Sequence, residues 1–245
     1  MNEDEFDAQN RAAIRRMGED KALQASSNEF LVKSSPHQYT YHFRWMGRPI
    51  IQLPQDIVAM QELIWECKPD AIVETGIARG GSLIFYASML HLLDAGGIVV
   101  GVDIDIREEN RRAIESHPMA RYIQMFQGSA IDPTVVERIR EAIADRKRVM
   151  VILDSMHSHA HVLEELRLYS PFVTKDSYLV VFDTTIELMP ETFFPDRPWG
   201  KGDNPWTAVQ EFVRTSDRFE IDRSIADKLQ ITVAHDGYLR CVKAP

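Results

Sequence analysis

Four acids close apolar runs in this chain: Glu74 after Ala71-Ile-Val, Asp103 after Ile98-Val-Val-Gly-Val, Asp154 after Val149-Met-Val-Ile-Leu, and Asp183 after Tyr178-Leu-Val-Val-Phe. Short β-branched runs of this kind read as strands buried on both faces. In an open α/β sheet ligands bind beyond the carboxyl ends of the strands, so the four acids are expected on one rim. Asp154 and Asp183 have no basic neighbour in sequence. Two carboxylates brought together there repel unless a cation lies between them. Oxygen ligands suit Mg²⁺, and Thr184 offers a further oxygen. The alternative is that each aspartate caps the helix that follows it. His157 stands three residues after Asp154, about one helical turn on, and a neutral imidazole beside a reacting hydroxyl is suited to take its proton near neutral pH. His159 and His161 alternate with it. Only the 157/161 pair has the i, i+4 spacing of a helical zinc site, and no cysteine is near. General base, metal ligand and structural residue all stay open for His157.

The elements that must position these groups centre on Ala71-Ile-Val-Glu74-Thr-Gly76-Ile-Ala-Arg79-Gly80-Gly81-Ser82, followed by Leu83 to Leu90. This is a strand, a tight turn and a helix, with glycines that permit positive φ and close approach of a ligand to the backbone. A dinucleotide site needs G-x-G-x-x-G for its pyrophosphate, and position 78 is alanine. Glu74-x-Gly76 followed by Gly80-Gly81 instead resembles the first motif of class I S-adenosylmethionine (SAM)-dependent methyltransferases. Their ligand carries an ammonium and a sulfonium, which gives an acid at that strand end a use. Another nucleotide, or an ordinary βα turn, is the competing reading. Asp103 is placed to accept from ribose hydroxyls, whereas Asp105 reads as the cap of a helix over Arg107 to Ser116. A third strand, Tyr122 to Phe126, ends at Gln127-Gly-Ser129, where Ser129 is either an adenine contact or part of a tight turn.

Around this centre the strand–helix alternation implies a mostly parallel sheet with right-handed crossovers. Helices are expected at Pro54 to Cys67, Pro133 to Asp145, 160–169 and 206–215. Strands are expected at Phe219 to Asp222, Leu229 to Val233 and Tyr238 to Val242. Residues 1–35 read as a charged helix or arm. Gln38 to Pro49, rich in Tyr, Phe, His and Trp, reads either as a docking segment on the sheet or as one wall of a substrate pocket. The Pro- and Trp-rich stretch Met189 to Trp206 is long for a compact domain, as functional lids are.

Composition narrows the class. The 245 residues suit one large α/β domain with an N-terminal extension, divided at 1–50 and 51–245. The formal net charge of −9 disfavours a nucleic-acid phosphate track. Two isolated cysteines, Cys67 and Cys241, give no disulfide framework or zinc cluster. The start, Asn2-Glu-Asp-Glu, is acidic where a signal peptide is basic, and no apolar run approaches about 20 residues. The expectation is a soluble cytoplasmic protein, a homo-oligomer, without a membrane span or nucleic-acid partner.

From Arg44 to Val242 the chain resembles the cephalosporin hydroxylase family, which also takes in rhamnosyl and other sugar O-methyltransferases. The resemblance rests on Lys68-Pro69-Asp70 through Gly76, Arg79-Gly80-Gly81-Ser82, Gly101-Val-Asp103-Ile-Asp105, Asp154-Ser-Met-His157 and Phe182-Asp183. It continues through Pro195-Asp-Arg197-Pro-Trp199-Gly-Lys201-Gly-Asp203-Asn204-Pro205 to Asp236-Gly-Tyr-Leu239. It implies a Rossmann-like class I methyltransferase fold with helices on both faces of the sheet. It also implies SAM held by Glu74, Gly76, Arg79, Gly80, Gly81, Ser82, Asp103 and Ser129. Mg²⁺ would lie at Asp154, Asp183 and Thr184, and His157 with Asp154 would act on a hydroxyl of a small-molecule or glycan acceptor. The chain departs from relatives that carry Glu-Asp at the end of strand five, because residue 182 is phenylalanine. That missing carboxylate favours the rival reading, a non-catalytic SAM-binding or scaffold protein of the same fold.

Overall fold

The structure is a computed structural model and describes residues 2–94 and 96–244. Two helices, α1 (Glu3–Glu19) and α2 (Lys21–Ser34), precede a small hairpin, β1 (Arg44–Trp45) and β2 (Arg48–Pro49). The domain then runs α3 (Pro54–Cys67), β3 (Ala71–Thr75), α4 (Gly81–Leu93), β4 (Ile98–Asp103), α5 (Glu108–Glu115), β5 (Ile123–Gln127), α6 (Pro133–Ala142) and β6 (Val149–Leu153). It ends α7 (His159–Tyr169), β7 (Tyr178–Val181), α8 (Pro205–Thr215), β8 (Phe219–Ile221), α9 (Arg223–Leu229) and β9 (Tyr238–Cys241). No helix among the described residues is long and apolar enough to cross a membrane.

The seven-stranded sheet has the order β5-β4-β3-β6-β7-β9-β8. The first five strands are parallel, and β9 runs antiparallel between β7 and β8. Strand order reverses between β3 and β6, which is the switch point where an α/β sheet opens a ligand crevice. Register aligns the rim: Thr75 lies beside Val102 and Leu153, and Leu153 lies beside Val181. Residues 76, 103, 154 and 182 therefore leave the sheet at one edge. All of β3, β6 and β7 is buried, as strands covered on both faces must be. Val73, Val151 and Leu153 pack with Val135, Leu166 and Phe212 of α6, α7 and α8. On the opposite face, Ile72, Val99 and Ile152 pack with Met60, Ile84 and Ile225 of α3, α4 and α9.

Three expectations about local structure are corrected. Leu229 to Val233 is not a strand: Asp222 caps a helix that runs to Leu229, its side chain accepting from the Ser224 N–H. The segment beyond is held by α3, because the buried Asp56 carboxylate accepts from Thr232 Oγ1, the Val233 N–H and the Tyr238 hydroxyl. Alternation of Leu, Ile and Val in that stretch thus reflects a loop packed on both sides. Asp105 does not cap α5, whose N-cap is Arg107 without a side-chain bond. The charged N-terminal segment is two helices rather than one, divided at Asp20, which ends α1 and caps α2.

The aromatic segment splits in two. Trp45 donates to Ser88 Oγ at 2.9 Å and meets the Phe85 ring edge-on at 4.8 Å, so the hairpin docks on α4. Its loop, Met46-Gly47, has positive φ at both positions, the requirement of a two-residue primed turn. Tyr39 and Tyr41, further upstream, instead face the cavity. Leu31, Leu53 and Met189, with Tyr39, Phe193 and Phe194 against them, form a separate apolar cluster that joins the N-terminal segment to the loop after β7.

Candidate active site

The rim opens into a cavity of about 940 Å³. Gly76, Asp103 and Ser129 line one half; Asp154, His157 and Asp183 line the other. Phe193, Arg197 and Trp199 of the loop after β7 form its far wall.

In the first half the turn after β3 is organised by Asp103. Its Oδ2 accepts from the N–H groups of Ile77 (2.8 Å) and Ala78 (3.2 Å), and its Oδ1 accepts from Asp105 N–H at 3.0 Å. Ala78 itself sits at φ +46, a left-handed conformation uncommon outside glycine, and those bonds hold it there. Two of the glycines serve packing as much as any ligand. A Cβ on Gly76 (φ +88) would lie 1.9 Å from the Asp154 carbonyl oxygen. One on Gly81 would lie 2.1 Å from the Pro49 carbonyl oxygen. The spacing G-x-x-x-G-G is what lets β3 close on β6 and the hairpin close on α4.

Glu74 lies one residue inside β3 rather than at its end, opposite Gly101, and is fully buried beneath the turn. Its Oε2 accepts from Ser82 Oγ at 2.6 Å, and its Oε1 is buried with no hydrogen-bond partner among the described residues. Burial pushes this carboxyl up to about 8, Ser82 and Tyr86 opposing the rise and Asp103 adding to it. Glu74, Ser82, Gly80 and Gly81 do not line the large cavity. Arg79 opens onto a smaller cleft of about 310 Å³ beside Asp105 and Arg107.

The second half gathers the acids. Asp154, His157 and Asp183 each place one ligand atom within 4.8 Å of the others. His157 Nε2 is 3.1 Å from Asp183 Oδ2, and its ring meets Trp199 edge-on at 5.0 Å. Asp183 is held at φ +58, an uncommon conformation of the kind that collects at functional sites. Neither aspartate caps a helix: the N-cap of α7 is Ser158, and Asp183 makes no side-chain cap bond to the 3₁₀ turn that follows it. Thr184 is fully buried, its hydroxyl directed to the Val233 carbonyl at 3.4 Å, and among acids and histidines the group beside the two aspartates is His157. Phe182, beside Asp183 at the end of β7, is buried in the core.

Burial first, and then Asp183, Glu74, Glu165 and Asp56, hold the Asp154 carboxyl well above the usual carboxylate range. Every charge named there is an acid. Glu165 and Asp56 escaped sequence reasoning because each lies on a helix, Glu165 within α7 and Asp56 in the first turn of α3, and only folding brings it beneath the rim. Glu165 is fully buried behind Ser155 and His161.

The remaining histidine and the distinctive loop tie helices together. His159 Nδ1 is 2.8 Å from Thr207 Oγ1 and its Nε2 is 3.2 Å from Glu211, which ties α7 to α8. Asp203 accepts from the His159 N–H. Asn204 caps α8 and donates to Glu187 and the Gly200 carbonyl, and Gly202 N–H also reaches Glu187. The Trp-Gly-Lys-Gly-Asp-Asn-Pro motif is thus a pair of helix caps that carries Trp199 to the cavity wall.

Several known proteins are similar to this chain. A Mycobacterium leprae rhamnosyl O-methyltransferase is 29% identical over 199 residues, spanning 80% of this chain and 81% of that protein. A rhamnosyl O-methyltransferase of Mycobacterium bovis is 28% identical over 200 residues, with 80% and 76% covered. The solved Mg–SAM structure of CmcI shares the fold, with a TM-score of 0.58 at 20% identity over 83% of this chain and 78% of that one. MycE, the methyltransferase of mycinamycin biosynthesis solved with Mg and S-adenosylhomocysteine, does so at 0.52 and 16%, over 87% and 53%. The family model for rhamnosyl O-methyltransferase/CmcI matches residues 37–242, and the chain belongs to that family.

Proposed function

We propose that this protein is a SAM-dependent O-methyltransferase that acts on a sugar hydroxyl, with Mg²⁺ at its acid cluster. The observation that carries the reading is the cluster on the cavity wall in which Asp154, Asp183 and His157 place their ligand atoms within 4.8 Å of one another, with further acids raising Asp154. Such a group calls for a cation. Asp154 and Asp183 would hold Mg²⁺ through carboxylate oxygens, the donors this ion prefers. SAM would lie along Gly76, Asp103 and Ser129, in the half of the cavity nearer the switch point. When bound, SAM supplies an electrophilic methyl group and Mg²⁺ lowers the pKa of the acceptor hydroxyl. The acceptor class comes from the relatives named rhamnosyl O-methyltransferase.

The chain's own residues do the rest. A carboxylate only accepts, so the contact between His157 Nε2 and Asp183 fixes the proton on Nε2 and leaves the Nδ1 lone pair for the acceptor's proton. Trp199 limits the ring's freedom from the other side, and the loop that carries it excludes water from the reacting centre. Phe182 supports a second reading, a SAM-binding protein without turnover, because it removes one oxygen ligand. We assign residues 1–50 as an extension that walls the cavity and 51–245 as the methyltransferase domain. Two free cysteines, one of them buried, fit a cytoplasmic setting. The exposed Phe6 and Phe30 of α1 and α2 fit contact between copies in a homo-oligomer.

Titration calorimetry tests the cofactor. S-adenosylhomocysteine should bind, and NAD should not. Binding of NAD alone would replace this reading with a dinucleotide one.

A further inference from the structure

Glu165 is a buried acid that the proposed reaction does not use. It sits on α7 at 0% exposure, and its Oε2 has no partner among the described residues. A buried carboxylate is costly unless it is hydrogen-bonded, so its surroundings carry information. Its Oε1 accepts from Ser155 Oγ at 2.7 Å. Ser155 follows Asp154 directly and lines the cavity. The same serine oxygen lies 3.2 Å from His161 Nε2, and that nitrogen is 3.7 Å from Glu165 Oε1. His161 also lines the cavity, one helical turn from His157 in sequence and with its side chain 19% exposed.

The donors and acceptors around the ring settle its tautomer. The Ser155 proton goes to Glu165, so the Ser155 oxygen meets His161 as an acceptor, and His161 Nε2 carries a proton. In the neutral ring the lone pair is then on Nδ1, for which the described residues supply no hydrogen bond. The cavity therefore holds two imidazoles, each fixed at Nε2 by a carboxylate, directly for His157 and through Ser155 for His161. One is enough to take a proton.

We propose that His161 reads a second hydroxyl of the acceptor, a neighbour of the one that is methylated, by accepting its hydrogen bond at Nδ1. Ser155 and Glu165 act as positioning residues that fix the tautomer. This rests on the sugar-acceptor reading above, since a sugar is the acceptor class that offers adjacent hydroxyls. A site built to bond a hydroxyl discriminates strongly against the analogue that lacks it.

The test uses methyl rhamnoside and its three monodeoxy analogues as probes, with S-adenosylhomocysteine and Mg²⁺ present, and reads affinity by calorimetry. Wild-type protein should bind one deoxy analogue roughly 10–100-fold more weakly than the parent glycoside, the worth of one buried hydrogen bond. His161→Phe should erase that difference and bind the same deoxy analogue as wild type does, and His161→Asn should restore part of the preference. Equal weakening of every glycoside by His161→Phe, or an unchanged preference, would overturn the proposal. Nitrogen-15 shifts of the His161 ring in wild-type protein without acceptor give an independent readout. Protonation at Nε2 is expected, and protonation at Nδ1 alone would overturn the proposal even if the variants fail to fold. Binding of none of the glycosides by wild-type protein would instead remove the sugar-acceptor reading beneath it.

Discussion

Replacing Glu74 by glutamine should make the ligand-free protein more stable at pH 8 while leaving it unchanged at pH 5. Glu74 is fully buried, and its carboxyl is raised from 4.5 to about 8, chiefly by burial. A carboxyl raised in the folded state binds its proton there while the unfolded chain has lost it. The contribution of this group to stability is therefore fully present below pH 4.5 and falls as pH rises toward 8. At roughly 1.4 kcal/mol per pH unit, the span from pH 5 to pH 8 costs about 3–4 kcal/mol. The amide of the variant would keep an acceptor for Ser82 without a titratable proton, so that part of the slope should vanish. For a chain of this length about 1 kcal/mol moves Tm by roughly 2–4 °C, which makes the difference at pH 8 on the order of 10 °C. Asp56, raised to about 6 by its own burial, titrates in both proteins and cancels in the comparison, whereas Asp154 loses the contribution of Glu74 to its rise in the variant, which widens the difference at pH 8 in the same direction. Thermal unfolding of wild type and Glu74→Gln is followed at both pH values in chelator and without cofactor. Parallel Tm curves for the two proteins would refute the argument, as would a wild-type Tm that rises from pH 5 to pH 8.

Asp103→Ala removes the acceptor of three backbone N–H groups and should lower stability by about 1–3 kcal/mol in urea unfolding, with weaker binding of S-adenosylhomocysteine. Asn204→Ala uncaps α8 and frees Glu187, so it should cost about 1–2 kcal/mol by the same measurement.

Much of the parallel sheet was legible because its strands are apolar runs that end at acids or glycines. The chemistry of the turn after β3 was legible for the same reason. What escaped was non-local. Glu74 is placed by its pairing with Gly101, which buries it one step inside the strand end. Helix α9 was hidden because Leu229 to Val233 alternates like a strand, while the contacts that shape its end come from Asp56 on a distant helix. The Lys201-Gly-Asp203-Asn204 motif stood out, but its meaning as two caps depends on α7 and α8 meeting. Thr184 follows Asp183 in sequence, yet its hydroxyl goes to Val233.

Transfer of labelled methyl from SAM to a rhamnoside acceptor tests the central claim most directly. With Mg²⁺ the wild type should turn over, and chelator should abolish it. Asp154→Asn and Asp183→Asn should be inactive with cofactor affinity nearly intact, and His157→Ala should lose about 10²–10⁴-fold, the range of a general base. Transfer that survives chelator and all three substitutions would contradict the metal-and-base account, and tight cofactor binding with no transfer to any acceptor would contradict the enzyme itself.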